Sequence, residues 1–307
     1  MTDVRTVVAG LDFSEGSEAA LVRAADLAER LHARLHLVHA ASIFNLDLGS
    51  LPQPEEPTDV LEARTRAFAE AALGGDEALD VIGPEVVVRR GEVAAEVLLD
   101  YVREVGADLV VVGTHGRRGV RHLLAGSVAE EVVRLAPCPV LTVPNAAVRT
   151  APGPDAPVLV PVDFAASNRN AVGAAKRTAA LFEAPVELVH VVEETGPYPV
   201  FYPEAFGVSP GVAEATFIER AERHLRAFDA EVGGDPAAAF HICVGRPHRE
   251  IIELAEERGA GLVVMATHGL TGLEHALVGS VTERTIRSAP CPVLSMRHLE
   301  RPDRDEA

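Results

Sequence analysis

A single lysine, Lys176, stands among the 28 basic residues of this 307-residue chain, and the other basic residues are arginine. No lysine follows any of the glycine-rich stretches, so a GxxxxGK[ST] phosphate loop and the paired machinery of rapid NTP hydrolysis are excluded. Cysteine is equally scarce. Cys138, Cys243 and Cys291 form no CxxC, which argues against a disulfide framework or a thiolate metal centre and leaves buried thiols as the expectation. No window approaches the about 18 uninterrupted apolar residues of a membrane span. The opening MTDVRTVVAG also lacks a secretory apolar core, so a cytoplasmic protein without membrane contact is expected. There is no GxGxxG after the first strand-like run and no GxSxG elbow. Positive charge is in deficit throughout: net charge is −18, and residues 1–150 and 151–307 each hold 14 Lys+Arg against 23 Asp+Glu. Neither half has a basic face to offer nucleic acid or anionic lipid.

The chain does contain a duplication. Residues 107–144 and 260–297 agree at 21 of 38 positions, including APCPVL at 136–141 and 289–294. The openings TVVAGLDFSEGS (6–17) and VLVPVDFAASNR (158–169) also align, which pairs Asp12 with Asp163. Two compact domains, 1–148 and 158–307, are expected on either side of a Pro/Gly-bearing linker at 149–157. In each half, short apolar runs alternate with longer helical patterns, as in a parallel sheet flanked by helices. Strands are read near 4–10, 34–40, 85–90, 108–113 and 139–143, with helices near 16–31, 58–73, 92–105 and 126–135. The second half repeats the order, with strands near 157–162, 185–192, 239–244, 261–266 and 291–296 and helices near 168–183, 211–231, 247–258 and 279–288. Stretches 42–57 and 193–210 are proline-bearing insertions, read as lids or contact surfaces.

Pro139 and Pro292 lack the N–H that a central strand needs, which puts PCPVL at a sheet edge. Both copies are too apolar for an exposed edge. Mutual coverage as an intrachain pseudo-dimer resolves the conflict; a further homodimer and an unknown protein partner stay open.

The stretch GTHGRRGVRHLLAGS (113–127) and its counterpart ATHGLTGLEHALVGS (266–280) carry the candidate chemistry. Gly113 and Gly116 follow a strand, nine residues intervene, and Gly126-Ser127 opens a helix. Ala266, Gly269 and Gly279-Ser280 repeat the spacing. Glycine permits positive φ and leaves no Cβ in the way of a ligand. A helix start adds unpaired N–H groups, those of Val128 and Val281 among them, and the positive end of its dipole, while Ser127 and Ser280 add hydroxyls. The same residues could simply form a tight turn with Ser127 as N-cap. If the site requires positive φ at 266, alanine there strains the second loop. His115 and His268 lie inside the loops, as general bases or as loop-ordering donors. His36 and His39 sit at odd separation on one strand, hence on opposite faces, and no metal site is expected.

The Gly-x-x-Gly, nine-residue, Gly-Ser pattern, followed by a helix and APCPVL and preceded by an early strand ending in Asp, resembles the universal stress protein family, as a tandem member with the ATP-binding type of loop. The resemblance covers nearly all of both halves. It implies doubly wound five-stranded α/β domains of order 3-2-1-4-5. It also implies a stress-response regulatory protein binding ATP or a related adenine nucleotide, with or without Mg2+. Asp12 and Asp163 then lie at the adenosine side, and the main chain of Ala40 and Val191 meets the adenine. Gly10 departs from the pattern that Pro161 keeps in the second repeat, whereas Ala165 in place of Ser14 and Ala266 in place of Gly113 depart in the second, which makes the first repeat the stronger site. The alternative is a slow ATPase or autophosphorylating protein with Ser127 and Ser280 as acceptors.

Overall fold

The structure is a computed structural model that describes residues 4–42, 56–114, 126–145, 151–193, 210–235, 237–267 and 278–296. Ten strands form one sheet of order β3-β2-β1-β4-β5-β10-β9-β6-β7-β8. In the first half these are β1 (Thr6–Leu11), β2 (Arg34–Ser42), β3 (Glu85–Gly91), β4 (Leu109–Gly113) and β5 (Val140–Val143). The second half supplies β6 (Val158–Pro161), β7 (Val186–Glu193), β8 (Ala239–Gly245), β9 (Leu262–Ala266) and β10 (Val293–Met296). Each half is therefore a doubly wound 3-2-1-4-5 sheet. The halves join through β5 and β10, which pair antiparallel with Leu141 opposite Leu294. Val140 and Val293 are buried, so the apolar edges foreseen in the sequence do cover each other.

Alternation along the strands sorts the core into two layers. Val7, Ala9 and Leu11 face α1 (Glu15–Leu31), α2 (Thr58–Leu73) and α3 (Asp76–Ile82), and the same layer holds α6 (Ser167–Phe182) and α7 (Pro210–Glu231). Val8, Val110 and Val112 face the other way, toward α4 (Ala94–Glu104) and α5 (Ser127–Leu135), with α8 (Pro247–Glu257) and α9 (Ser280–Ser288) completing that layer. Helix α3 was not foreseen. It is a single short segment between Gly75 and Gly83, too brief for a periodic pattern to register. Among the described residues, no helix is long and apolar enough to cross a membrane.

The linker is pinned rather than extended. Gly153 and Ala156 exchange backbone hydrogen bonds at 3.0 Å, and the amide of Gly261 donates to Pro157 O at 2.9 Å. A Cβ on Gly261 would stand 2.5 Å from Pro152 Cα, so this glycine is required by close approach of the linker. Residues 43–55 and 194–209, most of the two insertions, lie outside the described residues.

Candidate functional site

Strand β1 sits between β2 and β4, and β4 leads away from it toward β5. The chain thus reverses its winding between β1 and β4, where open α/β sheets place their ligand crevice, beyond the carboxyl ends of the strands. The turn after β1 and the end of β4 lie on neighbouring strands there, as do the turn after β6 and the end of β9 in the second half.

The turn after β1 is built by Asp12. Its Oδ1 accepts from the Ser14 amide at 3.1 Å and from the Ser14 hydroxyl at 2.5 Å. Asp163 Oδ1 accepts from the Ala165 amide at 3.0 Å in the same way. Such Asx turns let the residue between adopt an unusual backbone, and here it does: Phe13 and Phe164 hold φ of 63° and 65°. A bulky residue in the left-handed region is strained, and such outliers gather at functional sites. The Phe13 ring lies 4.4 Å from that of His39, and Phe164 lies 4.5 Å from His190. His39 Nδ1 donates to Leu11 O at 2.8 Å and His190 Nδ1 to Val162 O at 2.7 Å, which leaves each Nε2 as the acceptor in the neutral ring. Phe13, Phe164, His39 and His190 were missed as site residues. The signal was present, since Asp-Phe recurs at 12–13 and 163–164 and Val-His at 38–39 and 189–190.

Ala40 lies in β2 opposite Arg89, and Val191 in β7 opposite Cys243. Both stand one residue past the stacked histidine, near the carboxyl end of their strand. The glycine loops close on themselves: the Gly126 amide donates to Thr114 O, and the Gly279 amide donates to Thr267 O at 2.8 Å. The loop's first and last residues therefore meet at one point. From there α5 and α9 start, with Gly126 and Gly279 as N-caps and no side-chain cap. The amides of Ser127 and Val128, and of Ser280 and Val281, have no intrahelical acceptor, and both serines are exposed. His115, Gly116, His268 and Gly269 lie outside the described residues.

Three expectations are corrected. Ser127 is the first helical residue and not the N-cap, because Gly126 at φ −54° occupies that place. Gly126 and Gly279 have ordinary negative φ, and Gly113 is a strand residue that is not left-handed. Gly113 is needed for approach instead: a Cβ there would meet the Gly16 backbone of α1 at 2.5 Å. Ala266 therefore carries no left-handed strain. In the second half Ser167 replaces Gly16, and the start of α6 is rebuilt, with the Asp163 amide donating to Asn168 Oδ1 at 2.7 Å in place of the Ser14–Ser17 capping box.

Lys176 and His36 are engaged elsewhere in the fold. Lys176 pairs with Asp229 of α7 at 2.7 Å. His36 faces Tyr101, Nδ1 to hydroxyl 2.8 Å, and burial lowers its pKa despite nearby Glu85. The same burial, with Glu85 adding to it, pushes the Tyr101 hydroxyl up to about 12. His36 and His39 thus occupy opposite faces. Among the described residues, no three His, Cys, Asp or Glu side chains gather as a metal centre.

A profile of the universal stress protein family matches residues 3–144 and again 156–297. The chain is 28% identical over 306 residues to a universal stress protein of Mycobacterium tuberculosis, covering 95% of this chain and 96% of that one. Its fold resembles that of a functionally unknown Pseudomonas aeruginosa protein at TM-score 0.69 and 19% identity, covering 96% and 93% of the two chains. An Archaeoglobus fulgidus universal stress protein superposes at TM-score 0.63 and 19% identity, covering 96% and 99%. With the family pattern present twice and two doubly wound sheets joined edge to edge, this chain belongs to the universal stress protein family and carries two of its domains in tandem.

Proposed function

We propose that each half binds an adenine nucleotide, ATP foremost, and holds it without appreciable hydrolysis as a stress-response regulator. The phosphates lie against the starts of α5 and α9, on the amides of Gly126, Ser127 and Val128 and of Gly279, Ser280 and Val281, with Gly116 and Gly269 and the loop histidines His115 and His268 alongside. Asp12 with the Ala40 main chain, and Asp163 with the Val191 main chain, receive the adenosine end beside Gly113 and Ala266. The observation that carries this reading is the closed loop at the switch point: in both halves it ends on a helix start whose first amides have no side-chain cap. An anion is the natural partner of such a helix start. Any Mg2+ would arrive on the phosphate oxygens, because the described residues assemble no carboxylate cluster of their own.

Calorimetry on nucleotide-stripped protein tests the proposal with ATP, ADP and AMP. A ligand at 100 times its dissociation constant stabilises the fold by about 2.7 kcal/mol, so saturating ATP should raise the melting temperature by several degrees. Ser127→Asp separates binding from stability. A carboxylate at the first helical position favours the helix by about 0.3–1 kcal/mol but repels phosphate, so the variant should melt no lower than its parent and lose the first half's share of the ATP-induced shift, and adding Ser280→Asp should remove most of the rest. Absence of binding at millimolar concentration of all three nucleotides would refute the reading.

A further inference from the structure

Helices α5 and α9 lie in the same layer, on either side of the β5–β10 seam. Each carries a glutamate in its first turn, Glu130 or Glu283. A carboxylate there stands one turn from the amides that face an incoming anion, and its charge opposes phosphate. One guanidinium answers both. Arg287, in the last turn of α9, reaches Glu130 of the other half through Nη2 at 2.7 Å and Nε at 2.9 Å. The same Nη2 holds Glu283 at 2.5 Å. Arg134 occupies the corresponding place in α5, yet its only ion pair among the described residues is with Glu131 at 3.9 Å. The clamp is therefore one-sided: an arginine of the second repeat holds the first-turn glutamate of the first repeat's helix as well as that of its own. A cavity of about 290 Å³, lined by Ser127, Glu130, Arg134, Val278 and Glu283 among others, separates the two helices at this seam. The ion pairs accordingly border a partly open cavity and are not sealed in packed core.

We infer that Arg287 is a positioning residue for both nucleotide sites, coupling them across the seam by holding Glu130 and Glu283 together on one guanidinium that offsets half of their charge. This rests on the nucleotide reading above. Without Arg287, Glu130 and Glu283 lose the guanidinium that both hold, and they can turn toward the helix starts. Phosphate then binds against like charge in both halves, so that affinity in the first repeat depends on a side chain of the second. Because the groups are half-exposed, at 31% for Arg287 and 34% for Glu130, salt should screen the effect.

ATP titration of the full chain by calorimetry, with Arg287→Ala and the triple variant Arg287→Ala, Glu130→Gln, Glu283→Gln, decides the matter. The single variant should bind about three- to tenfold more weakly at low salt, the range expected for one added like charge at partial exposure. Raising sodium chloride to about 0.5 M, where the Debye length falls below about 5 Å, should shrink the deficit. The triple variant should return to parental affinity, a rescue that lost packing alone would not allow. Parental affinity in Arg287→Ala would overturn the inference, as would a loss that neither salt nor the glutamine substitutions repair. Failure of the parent protein to bind ATP would overturn the nucleotide reading and this inference with it.

Discussion

Phe13 and Phe164 hold left-handed backbones at φ 63° and 65°, a conformation costing of order 1–3 kcal/mol for such residues. The turn keeps them there because Asp12 and Asp163 accept from the amides two residues on and because each ring has partners. Phe13 packs on His39, lies edge-on to Phe68, and receives Arg64 at 4.6 Å over its face. Gly113 meets a different local demand. With the Gly16 backbone 2.5 Å from where its Cβ would be, Gly113→Ala should lower stability by about 1–3 kcal/mol through overpacking. Ala266→Gly should cost less than about 1 kcal/mol, from backbone entropy alone, and urea midpoints on the two variants measure the difference. The glycine loop was legible in the sequence, but the reason for its first glycine was not: approach between α1 and β4 is a packing distance, invisible in a local pattern. The aromatic–histidine stack escaped notice for the same reason, since its members stand 26 residues apart in each half.

At the scale of elements, the lone lysine explains itself. Lys176 on α6 reaches Asp229 near the end of α7 and donates to Val232 O at 3.1 Å, while Asp229 Oδ2 accepts from the Asp235 amide at 3.0 Å. This ties two helices of one layer together and satisfies a helix carboxyl end. The pair is buried, with side-chain exposures of 17% and 4%. Removing one partner leaves a carboxylate uncompensated, which typically costs about 3–5 kcal/mol. Lys176→Met should destabilise by that amount, and adding Asp229→Asn should recover most of it; thermal unfolding of the single and double variants compares them. Helix positions themselves were readable from the alternation of apolar runs and helical patterns. Only α3 was lost, and α1 and α6, alike in sequence register, start differently because Ser14 and Ser17 are replaced by Ala165 and Asn168.

For the whole molecule, the seam decides behaviour. Both halves are equally acidic and repel at long range, yet β5 and β10 pair through residues that are nearly all buried. Arg30 of α1 also lies 4.5 Å from the Phe182 ring of α6, a further contact between halves beside the Arg287–Glu130 pair. Leu294, 2% exposed and opposite Leu141, is the point at which to break the seam. Leu294→Asp places an unpaired charge in that core, so scanning calorimetry should show a lowered melting temperature and two resolved transitions in place of one. A single unshifted transition would mean that the seam contributes little.

The sequence by itself determined the duplication, the alternation of strand and helix and the apolar fifth strands that had to cover each other. These follow from near-neighbour periodicity, from turn-forming glycine and proline, and from the hydrophobic content of single runs, all of which survive in one dimension. Tertiary structure alone decided that Gly113 answers to Gly16, that Asp12 shapes a strained turn, and that Arg287 reaches Glu130 across 157 positions of chain. Those contacts depend on how two layers and two halves settle against each other, and no local pattern of residues records a distance that only packing creates.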